Sequence, residues 1–148
     1  MMINYVQGDL FTTNCDIIAH GCNCVGGFGA GVARTMANKY PESRDKFMEK
    51  HRTVKWNLGD VQFVKTNGKI IANCATQFYY GGKQKGHVYA DYGAIEECMK
   101  KLLQYSLDNN LSVAIPKIGA GLAGGNWSMI EKIIESVFIN KEITIYYL

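Results

Sequence analysis

The chain has 148 residues, 47% of them hydrophobic, enough for one ordinary globular domain that buries roughly two-thirds of its unfolded surface and needs no disulfide or metal to fold. Its 16 basic and 13 acidic residues leave a net charge of +3, without the concentrated Lys/Arg patch of an electrostatic nucleic-acid binder. Met1 to Asp9 lack the basic start and apolar stretch of a secretory signal, and no segment approaches the roughly 20 apolar residues of a membrane span, so a soluble cytoplasmic protein is expected.

In chain order, Ile3 to Val6 alternates as a short strand, and Asp16 to His20 is a compact apolar run of strand length. Gly31 to Tyr40 turns helical. Pro41 then opens a second helix, Glu42 to Arg52, which Asn57 and Gly59 are expected to stop. Val61 to Lys65 and Lys69 to Ala75 flank Thr66-Asn67-Gly68, and Asn-Gly between two β-rich runs predicts a hairpin. Ile95, Cys98, Met99, Leu102 and Leu103 recur at helical spacing, as do Ile130, Ile133, Ile134, Val137 and Phe138. Ser112 to Pro116 and Ile143 to Leu148 are further strand-like runs. Strands alternating with helices, and no linker or repeat, predict one domain over residues 1–148: an α/β three-layer α/β/α sandwich with a mixed central sheet.

Five cysteines (Cys15, Cys22, Cys24, Cys74, Cys98) are an odd number scattered over strands, loop and helix, which suits reduced thiols rather than a disulfide framework. Cys22 and Cys24 have no second Cys or His pair at a spacing that completes a tetrahedral zinc site, so no metal or cofactor is expected.

Two glycine-rich segments carry the chemical signal. Gly26-Gly27-Phe28-Gly29-Ala30-Gly31 follows the second strand and runs into a helix, where free backbone N–H groups and the helix dipole attract phosphate. Gly119-Ala120-Gly121-Leu122-Ala123-Gly124-Gly125 also follows a strand and precedes a helix starting around Trp127. Each alone is compatible with a tight turn. Together, at two strand-to-helix junctions, they suggest a diphosphate held between them. The second loop fits G-x-G-x-x-G, but a Rossmann site needs an acidic residue at the end of the next strand, and Ile143 to Leu148 has none. The P-loop fails too, since Gly68-Lys69 and Gly82-Lys83 are followed by Ile70 and Gln84 instead of Ser or Thr.

At Gly8-Asp9-Leu10, Ile18-Ala19-His20-Gly21-Cys22-Asn23, the first glycine loop through Val32-Ala33, and Ile115-Pro116-Lys117-Ile118-Gly119-Ala120-Gly121, the sequence resembles the macrodomains, whose members bind ADP-ribose. The run from His20 through Cys22-Asn23-Cys24 and Gly29-Ala30-Gly31-Val32-Ala33 to Lys39-Tyr40-Pro41 is most similar to the small ADP-ribose 1''-phosphate phosphatases. The resemblance implies a monomer that binds ADP-ribose or ADP-ribose 1''-phosphate and hydrolyses the phosphate monoester. A binding module without turnover, or a hydrolase removing mono-ADP-ribose or O-acetyl groups, are the alternatives. Relatives that release ADP-ribose from glutamate use a lysine and an aspartate at the places of Gln77 and Ala123.

By the same resemblance, Asp9 accepts a hydrogen bond from the adenine amino group, Tyr146 covers the adenine face, and Asn23 bonds the distal ribose. The implied ligand-binding set is Asp9, Leu10, Gly29, Ala30, Gly31, Val32, Ile118, Gly119, Ala120, Gly121, Leu122 and Tyr146, with His20 and Asn23 as the catalytic pair. With an intrinsic pKa near 6.5, His20 serves as base, acid or nucleophile, or else is a structural histidine at the end of a buried strand. Lys83, Lys85 and His87 are candidates to assist the phosphate, against the usual solvated role of loop lysines.

Overall fold

A computed structural model of the protein describes residues 2–81 and 87–148. Six strands form one sheet: β1 (Ile3–Gln7), β2 (Ile17–Cys22), β3 (Val61–Thr66), β4 (Lys69–Ala75), β5 (Val113–Pro116) and β6 (Ile143–Tyr147). Four helices connect them: α1 (Gly31–Lys39), α2 (Pro41–Thr53), α3 (Tyr92–Asn109) and α4 (Trp127–Val137). The spatial order is β1-β6-β5-β2-β4-β3. All neighbours are parallel except β3 and β4, which form the expected antiparallel hairpin. Asn67 (φ 46°) and Gly68 (φ 76°) both take the left-handed conformation that a two-residue turn of this hand requires.

Side-chain alternation along β2 divides the core in two. Ile17 and Ala19 face α3 and α4, packing with Ile95, Cys98, Met99, Leu102, Ile130 and Ile134. Ile18 and Cys22 face α1 and α2, packing with Met36, Phe47 and Trp56. With period 2 in the strands and a stripe on each helix, both sheet faces are covered, giving the three-layer α/β/α sandwich with a mixed sheet.

The helix ends explain themselves chemically. Asp91 caps α3 by accepting from the Ala94 N–H, and Asn126 caps α4 by accepting from Met129 N–H. Pro41 occupies the first turn of α2, where its missing N–H costs nothing. One expectation is corrected here. α2 ends at Thr53, before Asn57 and Gly59; the stop is Lys55, a left-handed residue (φ 77°) whose N–H bonds back to the Lys50 carbonyl at 2.8 Å. Among the described residues, no helix is long and apolar enough to cross a membrane.

Because β2, β4, β5 and β6 run parallel, their C-terminal ends meet at one edge of the sheet, and both glycine loops leave from that edge. This is where open α/β sheets place their ligand crevices.

Candidate functional site

A cleft of about 630 Å³ opens at this edge. The turn after β2 and the start of α1 form one wall, through Asn23, Gly27 to Ala33, and the loop after β5 forms the other, through Pro116 to Gly119 and Gly121 to Ala123. Gly21 and Cys22 at the end of β2, with Gln77, Tyr80 and Gly81, complete the lining. The size is that of a small-molecule site.

Asn23 organises the first wall. Its Oδ1 accepts from the N–H groups of Val25 and Gly27, each at 3.0 Å, and its Nδ2 donates to the Gly27 carbonyl at 2.7 Å. These bonds fold the loop and use one of the two N–H groups of the amide. Gly27 is glycine for a steric reason: a Cβ there would stand 2.6 Å from Tyr80 Cε1 and 2.9 Å from Asn23 Nδ2.

α1 begins differently from α3 and α4. Its N-cap, Ala30, offers no side chain to the first turn, so the N–H groups of Gly31, Val32 and Ala33 precede the first helical hydrogen bond and line the cleft uncapped. Gly31 holds φ 59°, a conformation that would strain any residue with a Cβ. On the facing wall, the N–H groups of Gly119, Gly121 and Leu122 have no acceptor among the described residues, while Gly124 and Gly125 donate to the Gly121 and Gly119 carbonyls to close the loop. Leu122 Cδ1 reaches to 3.8 Å of the point where a Gly31 Cβ would lie, so the walls nearly touch at the mouth.

The cleft thus brings together Asn23, Gly29, Ala30, Gly31, Val32, Ile118, Gly119, Gly121 and Leu122 from the predicted set. Asp9, Leu10, Ala120, Tyr146 and His20 are not on its lining. Leu10 and Tyr146 share an apolar cluster with Val32, which does line the cleft. The exposed Asp9 carboxylate accepts from the Phe11 N–H at 2.9 Å and caps a short 3₁₀ turn, Leu10–Thr12.

His20 lies behind the lining of the cleft. Its side chain is fully buried on the α1/α2 face of the sheet, with Phe28, itself a lining residue, edge-on against the ring at 5.3 Å between centroids. Nε2 donates to Asn73 Oδ1 on β4 at 2.6 Å, and Nδ1 has no partner among the described residues. Burial pushes its pKa down to about 4, against a smaller opposing effect of the Asn73 hydrogen bond. The ring thus stands behind the cleft wall rather than on its lining. The Cys22 thiol, 3.7 Å from Nε2, is pushed well up by burial and stays protonated.

Lys83 and Lys85 lie outside the described residues. His87 is exposed and tilted against the Tyr89 ring at 4.1 Å. Gln77 lines the cleft and donates from Nε2 to the Tyr79 carbonyl at 2.8 Å, and Ala123 is buried in the far wall. Sequence reasoning missed Tyr80, Phe28 and Lys117 as lining residues. Only the aromatic run Phe78-Tyr79-Tyr80 and the position of Lys117 beside the second loop hinted at them.

The chain belongs to the Macro domain family, whose sequence model matches residues 19–134. It is 31% identical to an uncharacterized 17.5 kDa protein of Enterobacteria phage T4, over 98% of this chain and 96% of that one. It is 27% identical to the ADP-ribose 1''-phosphate phosphatase of Lodderomyces elongisporus, over 93% of each chain, and 26% identical to the human ADP-ribose glycohydrolase OARD1, over 99% and 91%. Among solved structures, a Bacteroides thetaiotaomicron protein of unknown function superimposes with a TM-score of 0.91 at 30% identity, covering 100% of this chain and 99% of that one.

Proposed function

We propose that residues 1–148 act as one monomeric domain that binds ADP-ribose derivatives in this cleft and hydrolyses ADP-ribose 1''-phosphate to ADP-ribose and phosphate. The observation that carries the reading is the uncapped start of α1 facing the free amides of the second loop. Two sets of N–H donors on opposite walls suit two linked phosphoryl groups. Asn23 then offers its spare N–H to the distal ribose, and Asp9 stands at the adenine end. Relatives named as ADP-ribose phosphatase and glycohydrolase support an ADP-ribose hydrolase. The free thiols of all five cysteines suit a reducing cytoplasm.

In this scheme water attacks phosphorus, the bond to the ribose 1'' oxygen breaks, and the departing oxygen takes up a proton. The loop amides stabilise the charge on the phosphoryl oxygens. His20 supports the wall and takes no part in proton transfer.

One observation favours a second reading. Among the described lining residues there is no carboxylate and no histidine, which suits a reader of ADP-ribose without turnover. Phosphate release from ADP-ribose 1''-phosphate, measured beside ADP-ribose titrations and incubations with mono-ADP-ribosylated protein and O-acetyl-ADP-ribose, separates the possibilities. Phosphate release supports the proposal, and tight binding with no turnover supports the reader. Cleavage confined to the other two substrates rules out the phosphatase.

A further inference from the structure

Two aromatic side chains line the cleft, Phe28 and Tyr80, and they differ in what they leave open. Phe28 is buried against His20, whereas Tyr80 is 60% exposed. Its seat is nevertheless built. The Cys24 N–H donates to the Phe78 carbonyl at 2.9 Å, and Gln77 Nε2 donates to the Tyr79 carbonyl at 2.8 Å, so the backbone running into Tyr80 is tied to the turn after β2. Gln77 also pairs with Ala90 in an isolated antiparallel bridge, which holds the segment from the side of α3. One edge of the ring rests on Gly27, where a Cβ would stand 2.6 Å from Cε1 and 2.9 Å from Cδ1. Among the described residues, no other aromatic ring and no cation stacks on Tyr80.

This seat puts the ring at the Asn23 end of the first wall. Gly27, on which the ring rests, takes two of the three hydrogen bonds of the Asn23 amide, one through its N–H and one through its carbonyl. The uncapped amides of α1 begin further along the same wall, at Gly31. The chemistry of the two stretches differs. Amide N–H groups suit phosphoryl oxygens, whereas the face of an aromatic ring carries partial negative charge, repels such oxygens and attracts the weakly positive C–H groups of a sugar. Because the seat holds the ring before any ligand arrives, little conformational freedom is lost when one packs against it.

We propose that Tyr80 is a specificity-determining residue whose ring packs against the C–H face of the distal ribose, and that this contact helps the cleft separate ADP-ribose from ADP. The inference rests on the reading that the distal ribose lies at Asn23.

The test is calorimetric titration of the wild-type, Tyr80→Phe and Tyr80→Ala proteins with ADP-ribose and with ADP, accompanied by thermal melts and by proton NMR of bound ADP-ribose. Tyr80→Ala should weaken ADP-ribose by about fivefold and ADP by less than about twofold, while Tyr80→Phe keeps both near wild type. Ring current from Tyr80 should move the distal-ribose protons upfield in the wild type and in Tyr80→Phe but not in Tyr80→Ala, and the protons of the adenosine ribose should be the same in all three. An equal loss for both ligands in Tyr80→Ala would assign the ring to support of the loop amides and overturns the inference. Unchanged affinities in Tyr80→Ala overturn it too, as does a loss in Tyr80→Phe as large as in Tyr80→Ala, which would assign the role to the hydroxyl. If the wild type binds neither ligand, the proposed function itself fails.

Discussion

Asn73 on β4 accepts the Nε2 hydrogen of His20 on β2 at 2.6 Å, in the paired register of the two strands, and both side chains are fully buried. Asn73 passes the connection on, donating to the Ser43 carbonyl on α2 and to Gln62 Oε1 on β3, each at 3.0 Å. The imidazole is thus the head of a polar chain that joins two strands, the hairpin and the helix beneath the first glycine loop. Buried networks of this kind are costly to break at any one member.

The pair gives the protein a pH-dependent stability of defined sign. The folded pKa of His20, about 4, lies below the ordinary imidazole value of 6.5, so below 6.5 the unfolded chain binds a proton that the folded chain refuses. The contribution is fully present above pH 6.5 and is lost as pH falls toward 4, by up to about 3 kcal/mol. Urea midpoints measured between pH 7.5 and 4 should fall for the wild type by more than for His20→Gln. Parallel curves for the two proteins would show that the imidazole is not the titrating group.

His20→Leu is expected to destabilise the fold by about 1–3 kcal/mol, since it removes the donor and the buried Asn73 Oδ1 loses its partner. In whatever fraction remains folded, ADP-ribose affinity and phosphate release should stay near wild type. Loss of turnover in a folded variant that still binds ADP-ribose would return the histidine to the chemistry.

Gly27→Ala tests the first wall. The added methyl would meet Tyr80 Cε1 at 2.6 Å and Asn23 Nδ2 at 2.9 Å, contacts that force the ring or the amide to move. Misplacing one anchored amide should lower ADP-ribose affinity by about tenfold or more, with a stability loss of about 1 kcal/mol. A melt that changes greatly while affinity stays constant would mean the loop is structural only.

Asn23→Asp keeps the acceptor for the Val25 and Gly27 N–H groups but loses the donor to the Gly27 carbonyl, and it introduces a negative charge on the cleft wall. ADP-ribose binding should weaken far more than stability, by about 100-fold at neutral pH, and should recover partly as the carboxylate is protonated near pH 4. Unchanged affinity at pH 7 would place the ligand away from Asn23.

The course of the chain was legible because local chemistry dictates it. Asn67-Gly68 specifies the hairpin turn, Pro41 the start of α2, and the apolar stripe through Ile95 to Leu102 the buried face of α3. The order β1-β6-β5-β2-β4-β3 was not, because it pairs the first strand with the last, across a separation that no local pattern records. The glycine loops were legible as segments meeting at one cleft, but not that α1 lacks a side-chain cap while α3 and α4 have one. The depth of His20 was not legible for a related reason. Its depth is set by Phe28 folding back over the ring and by Asn73 on a strand 53 residues away, and neither contact leaves a trace in the spacing of residues around it.

In the proposed binding mode, amides on two walls grip one diphosphate, with an adenosine on one side and a second ribose on the other. Titrating ADP-ribose, ADP and AMP into the protein by calorimetry tests it most directly. ADP-ribose should bind best, ADP at least about tenfold weaker for want of the distal ribose, and AMP weaker again for want of the second phosphoryl group. AMP binding as tightly as ADP-ribose, or no heat from any of the three, would contradict it.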